Sequence, residues 1–150
     1  MSQIANIAVY DGAATPVLHT LVAISVSRVG NTIVSEWREK AVGVPDYAQV
    51  SITQKRELMK SGVIRTETIV VVPVMESILN QNAAGYTAAP KVAYEDKHSY
   101  VSYAHPRSTI TGRRLARQLL VNLAGNISVS VAPVATGFVP ELVDQLVSPT

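Results

Sequence analysis

VAYEDKHSYVSYAHPRSTITGRRLARQLLVNLA, from Val92 to Ala124, changes period partway along, and that change decides the fold. Val92 to Tyr103 reads as a strand, stopped by His105-Pro106. Ser108 and Thr109 then offer N-caps for a helix, Thr109 to Ala124. On a helical wheel Leu115, Ala116, Leu119, Leu120 and Leu123 fall on one side. Arg114 and Arg117 fall opposite, with Arg113 at the boundary. Gly125-Asn126 is a stop signal. The leucine side is expected to be buried against a second copy of the chain and the arginine side to face the solvent.

Working upstream, Asn80 to Lys91 (NQNAAGYTAAPK) is small and polar and reads as a long loop. Val63 to Val72 is a strand ending at Pro73, where the missing N–H should break or bulge the pairing. From Tyr47 the alternation sends Ala48, Val50 and Ile52 one way and Gln49, Ser51, Thr53 and Lys55 the other. Val42 to Asp46 is a connector, and Thr32 to Lys40 is a strand carrying Trp37. Gln3 to Tyr10 and Val17 to Val29, joined through Asp11-Gly12, form an N-terminal hairpin. Downstream, Ile127 to Gly137 is of mixed character, and Pro140 can open a short last helix, Glu141 to Val147. The fold class is α+β, one domain over 1–150, with an N-terminal hairpin and antiparallel sheet followed by two C-terminal helices. Sheet and helix each keep an apolar face with little chain left to cover it. A second copy would supply the cover, so an obligate homodimer is expected.

Composition points the same way. The 150 residues are 47% hydrophobic and 16% charged, with a net charge of +2. Contiguous apolar surface on so lightly charged a chain marks interfaces. Cysteine is absent, which excludes disulfides, thiolate chemistry and cysteine-built zinc sites. The start, MSQIANIAVYDGAA, lacks the basic and apolar regions of a signal peptide. The densest apolar run, Ile69 to Met75, is too short to span a bilayer, so no membrane partner is expected. Lys97 to Pro140 carries Lys97, Arg107, Arg113, Arg114 and Arg117 and no acidic residue. That asymmetry fits either a polyanionic partner or a solvated helix face.

Nothing argues for catalysis. Asp96 and His98 share a strand face, but two groups do not make a metal site. No GxSxG, HExxH, P-loop or dinucleotide pattern occurs, and no cofactor is expected. The polar strand faces are more informative. Gln49, Ser51, Thr53 and Lys55 share one side of a strand; Tyr94, Asp96, His98 and Tyr100 share one side of another. Such a sheet can bind single-stranded RNA through stacking and hydrogen-bonded base edges, or it can be a plain solvated face.

The junction Ser108-Thr109-Ile110-Thr111-Gly112-Arg113-Arg114-Leu115-Ala116-Arg117-Gln118-Leu119-Leu120, with the strand before it, resembles the coat proteins of single-stranded RNA bacteriophages, the leviviruses. The closing Val139-Pro140-Glu141-Leu142-Val143-Asp144-Gln145-Leu146-Val147-Ser148-Pro149 is similar to that family's final helix and tail. The resemblance implies interlocked dimers whose sheets join edge to edge, with helices crossing the partner's sheet on the outside. It implies an icosahedral shell in the virion, assembled in the bacterial host cytoplasm, with Asn80 to Lys91 at symmetry axes. It also implies an inner sheet face that packages genomic RNA and grips a stem-loop, repressing replicase translation. On that face the expected RNA-binding residues are Gln49, Ser51, Thr53, Lys55, Tyr94 and Asp96, with Arg65 on the neighbouring strand. A register shifted by one residue would put Lys97 and Ser99 there in place of Tyr94 and Asp96. By charge alone the RNA would lie on Arg113, Arg114 and Arg117; the resemblance puts that helix outside. Asn126 to Val139 is longer than the family's usual link, and without cysteine the shell must rest on packing. The competing readings are a non-viral dimeric RNA-binding regulator and a small α+β enzyme.

Overall fold

The computed structural model describes residues 3–76, 91–129 and 132–150. The loop expected over Asn80 to Lys91 lies, but for Lys91, outside the described residues. Six strands follow one another in a single antiparallel meander: β1 (Ile7–Tyr10), β2 (Leu18–Val29), β3 (Thr32–Glu39), β4 (Ser51–Leu58), β5 (Ile64–Met75) and β6 (Val92–Ala104). Short turns join β2 to β3 and β4 to β5. Gly30, at φ 60°, opens the two-residue turn between β2 and β3, and Gly62, at φ 80°, serves the turn before β5.

The register builds the core as a cross-strand row. Ala23, Trp37, Ile52 and Val70 are direct partners across β2 to β5, and Ile7 opposite Leu21 extends the apolar patch. Trp37 is buried there, its Nε1–H donating to the Ala5 carbonyl at 2.8 Å and its ring tilted against Phe138 at 6.0 Å between centroids. A bulge at Ile24 shifts the ladder, which is why the alternation in β2 breaks there.

Three expectations about elements change. Tyr47 does not begin a strand: Asp46–Ala48 is a single 3-10 turn and β4 starts at Ser51. β5 runs through Pro73 to Met75, and the ladder shifts between Val74 and Met75. The last helix starts early and ends early. α2 (Phe138–Pro140) continues as a π-helical turn, Glu141–Gln145, closed by Leu146 at φ 59°. The principal helix, α1 (Ile110–Ala124), follows its signals closely, with Thr109 Oγ1 accepting from the Gly112 N–H at 3.1 Å.

The sheet face that carries Trp37 also catches the C-terminal turn. Gln54 Nε2 donates to the Phe138 carbonyl at 2.9 Å and Arg56 Nε to the Leu146 carbonyl at 2.8 Å. Ile4 N–H donates to the Thr150 carbonyl at 2.8 Å, joining the two ends of the described chain. The main neighbour of α1 is this C-terminal turn rather than the sheet. Among the described residues no helix is long and apolar enough to cross a membrane.

Candidate assembly surface and nucleic-acid face

The arginines of α1 converge on one residue, Asp144. Arg117 Nε and Nη2 each donate to an Asp144 carboxylate oxygen at 2.9 Å, and Nη2 also donates to the Val134 carbonyl at 2.7 Å. Arg114 Nε adds a bond to Asp144 Oδ2 at 3.2 Å. Arg113 donates to the Asp144 carbonyl at 2.8 Å and to the Ser108 carbonyl and hydroxyl at 2.7 and 2.8 Å. Asp144 is fully buried and Arg117 nearly so. Burial pushes the Asp144 carboxyl up, but the hydrogen bonds and charges of Arg117 and Arg114 outweigh it and hold it below its ordinary value.

This overturns the expected solvated arginine face of the helix. Leu115, Leu119, Leu120 and Leu123 are 60%, 62%, 47% and 79% exposed, while Arg117 is interior. A wheel tells which residues share a side, not which side the chain itself covers. Here Asp144 captures the arginine side and leaves the leucines to solvent. Beside them runs β6, hydrogen-bonded to β5 along one edge and, among the described residues, to no strand along the other. Edge and helix meet at a groove of about 230 Å³, lined by Tyr100 to Tyr103 with Arg113, Ala116, Arg117, Leu120 and Val143. A bare edge and a bare apolar stripe on one continuous surface call for another chain.

The opposite sheet face is polar. Its rows follow from the register: Ser51, Val71 and Lys97; Thr53, Ile69 and Ser99; Lys55, Glu67 and Val101; Glu57, Arg65 and Tyr103. Ser51, Thr53, Lys55 and Arg65 are thus together as expected. Tyr94 and Asp96 are not with them. They pair with Val74 and Val72 and share the side of Val70 and His98, whereas Lys97, Ser99 and Tyr103 occupy the polar face. The shifted alternative for β6 is the one observed. β6 reaches β5 through a long connection, so no short turn fixes which parity faces which side, and the sequence left both open.

Gln49 is also removed from the face. It is buried, its Oε1 accepting from Ala41 N–H at 2.9 Å and its Nε2 donating to the Ala41 and Val44 carbonyls at 3.0 and 2.7 Å. Arg65 is bound to Glu67 at 2.8 Å and lies 3.7 Å from Glu57. Sequence reasoning had not picked out Tyr103, 64% exposed, or Arg38, opposite Ser51. The cations Arg38, Lys55, Arg65 and Lys97 share this face with Glu36, Glu57, Glu67 and Glu95, so its charge is close to balanced.

Asp96 and His98 have no third neighbour suited to a metal; among the described residues no cluster of three such groups occurs. His19 lies between two carboxylates, Nδ1 3.0 Å from Glu39 Oε1 and Nε2 3.6 Å from Asp11 Oδ2. Opposite ring nitrogens cannot bind one ion together, so this trio is an ionic contact.

Among the described residues, a six-stranded meander with helices on one face, a bare edge and an uncovered leucine stripe make this a protein of the self-assembling subunit class. Comparison with known proteins agrees. The model of the family described as levivirus coat protein matches residues 2–146. The coat protein in the virus-like particle of bacteriophage EMS014 is 32% identical, with a TM-score of 0.72 and coverage of 98% of this chain and 99% of that one. The particle of bacteriophage ESE058 gives 21% identity, TM-score 0.72, and 99% of each chain covered. That of Beihai levi-like virus 21 gives 22%, TM-score 0.65, with 99% of this chain and 98% of that one covered. No curated protein matches. The chain belongs to the levivirus coat protein family: it is a structural capsid protein of the virion, and its family is not an enzymatic one.

Proposed function

We propose that this chain pairs into obligate dimers, that the dimers close into a shell, and that the shell encloses single-stranded RNA against the polar sheet face. The leucine stripe of α1 beside the unpaired edge of β6 carries the reading. The EMS014 relative, which covers nearly the whole chain, forms virus-like particles. A shared sheet made by two β6 edges would satisfy the open backbone groups. It would also bring each α1 over the partner, burying Leu115, Leu119, Leu120 and Leu123. Interfaces that complete a core bury on the order of 2,000–5,000 Å², and such dimers often have no stable folded monomer. Assembly in the bacterial host cytoplasm follows from this reading.

For the RNA, Ser51, Thr53, Lys55 and Arg65 remain the proposed contacts, with Lys97, Ser99 and Tyr103 in the places first expected of Tyr94 and Asp96. Hydroxyls and a stacking tyrosine suit unpaired bases. A charge-balanced face releases few counterions, so binding should depend weakly on salt. Repression of replicase translation through a stem-loop would use this same face. Size-exclusion chromatography with negative-stain microscopy tests the assembly, and nuclease-resistant RNA in the particle fraction tests the packaging. Uniform particles containing RNA are expected. A folded protein that stays a small oligomer at all concentrations would favour the regulator reading instead.

A further inference from the structure

Between β3 and β4 the chain makes an exposed loop whose tip, Ala41-Val42-Gly43-Val44, carries no charge. Val42 is 101% exposed, so its side chain touches nothing in its own protomer. Exposed loop tips are usually polar and loosely held; this one is apolar and fastened from below. The buried Gln49 amide makes three hydrogen bonds to the Ala41 and Val44 backbone, and Gly43 takes φ 81°, a conformation that L side chains rarely adopt. Folding an amide side chain under a solvent-facing tip fixes the shape of that tip and lowers the entropy lost when it is bound. The rim is charged with both signs. Exposed Lys40 precedes the tip and exposed Asp46 follows it, and among the described residues neither is ion-paired. An apolar centre flanked by one cation and one anion is complementary to a copy of itself: Lys40 of one loop can face Asp46 of another while the valines meet.

We propose that the loop 40–46 is a contact between copies of this chain in the shell, its occupant the same loop of a neighbouring dimer. The inference rests on the proposed self-assembly and adds a surface separate from the leucine stripe and the β6 edge. Identical loops meeting about a symmetry axis form a closed contact that repeats around the shell.

The test measures the protein concentration at which particles appear, by light scattering and microscopy, with dimer formation and circular dichroism checked in parallel. Val42→Asp should leave folded dimers and raise that concentration at least about tenfold, the factor that about 1.4 kcal/mol per contact would give; Val42→Ser should act in the same direction more weakly. Lys40→Asp and Asp46→Lys should each raise it, and the double exchange should return it towards the wild-type value. Particles from folded Val42→Asp and Val42→Ser at the wild-type concentration would overturn the contact. Failure of the double exchange to restore what the single changes lose would overturn the pairing of like loops. A wild-type chain that forms no particles at all would overturn the shell reading, and this contact with it.

Discussion

His19 clasps the N-terminal hairpin to β3, and its chemistry makes the clasp depend on pH. Only the imidazolium carries a charge to attract both the Glu39 carboxylate at 3.0 Å and the Asp11 carboxylate at 3.6 Å. The Glu39 hydrogen bond and charge, with Asp11 adding to them, raise the His19 pKa above its ordinary value of 6.5. A raised pKa in the folded state means the stabilisation is full below 6.5 and is lost as pH rises through the raised value. Hydrogen-exchange protection of the β1 and β2 amides should therefore fall as pH climbs past that point, and His19→Gln should flatten the dependence. Unchanged protection across the range would count against it. Asp144 has the opposite sign. Its pKa is lowered from 3.8, so its contribution is present at neutral pH and is lost as acid takes the pH down through the depressed value. Removing Arg117 would leave that carboxylate buried with weaker partners. Arg117→Ala should cost roughly 3–5 kcal/mol of stability, read from the urea midpoint of the assembled protein. A loss within experimental error would show that the cluster is not a staple.

At the scale of elements, α1 has two faces with separate duties. The arginine face holds the helix to its own protomer through Asp144, and the leucine face is left for the partner. Substitutions on the two faces should therefore fail differently. Leu119→Asp places a charge where the partner would pack, and a buried unpaired carboxylate costs several kcal/mol. Because Leu119 is exposed in the protomer, its own chain's contacts survive. Sedimentation should show dissociation of the dimer and loss of particles. Particles from Leu119→Asp would mean that the leucine stripe is not the interface. The boundaries of α1 were legible, since Thr109 and Gly125 act locally as cap and stop. The burial of its arginine face was not, because that depends on Asp144, 27 residues beyond Arg117.

For the whole molecule, the test concerns which side of the sheet meets RNA. Losing a stacking aromatic costs about 1–3 kcal/mol per base, and losing a phosphate contact lowers the salt slope by about one. Tyr103→Ala should weaken filter binding of dimers to an RNA hairpin with little change in slope, and Lys55→Ala should flatten the slope. Tyr94→Ala, on the other side of the sheet, should bind as wild type. The opposite ranking of the two tyrosines would reject the assignment. Changing Arg113, Arg114 and Arg117 together cannot test the charge-based reading, because it disturbs the Asp144 cluster and confounds folding with binding.

The sequence by itself determined the α+β class, the N-terminal hairpin, the limits of α1 and the shared side of Ser51, Thr53 and Lys55. Each of these rests on periodicity or on residues a few positions apart, where backbone sterics and local hydrogen bonds act. Only the tertiary structure decided that Gln49 is an anchor beneath a loop, that β6 presents Lys97, Ser99 and Tyr103 rather than Tyr94 and Asp96, and that the arginines of α1 point inward. Those outcomes depend on partners far along the chain. The parity of a strand joined through a long connection, and the side of a helix that finds a carboxylate, are chosen by whichever arrangement satisfies the most buried polar groups at once.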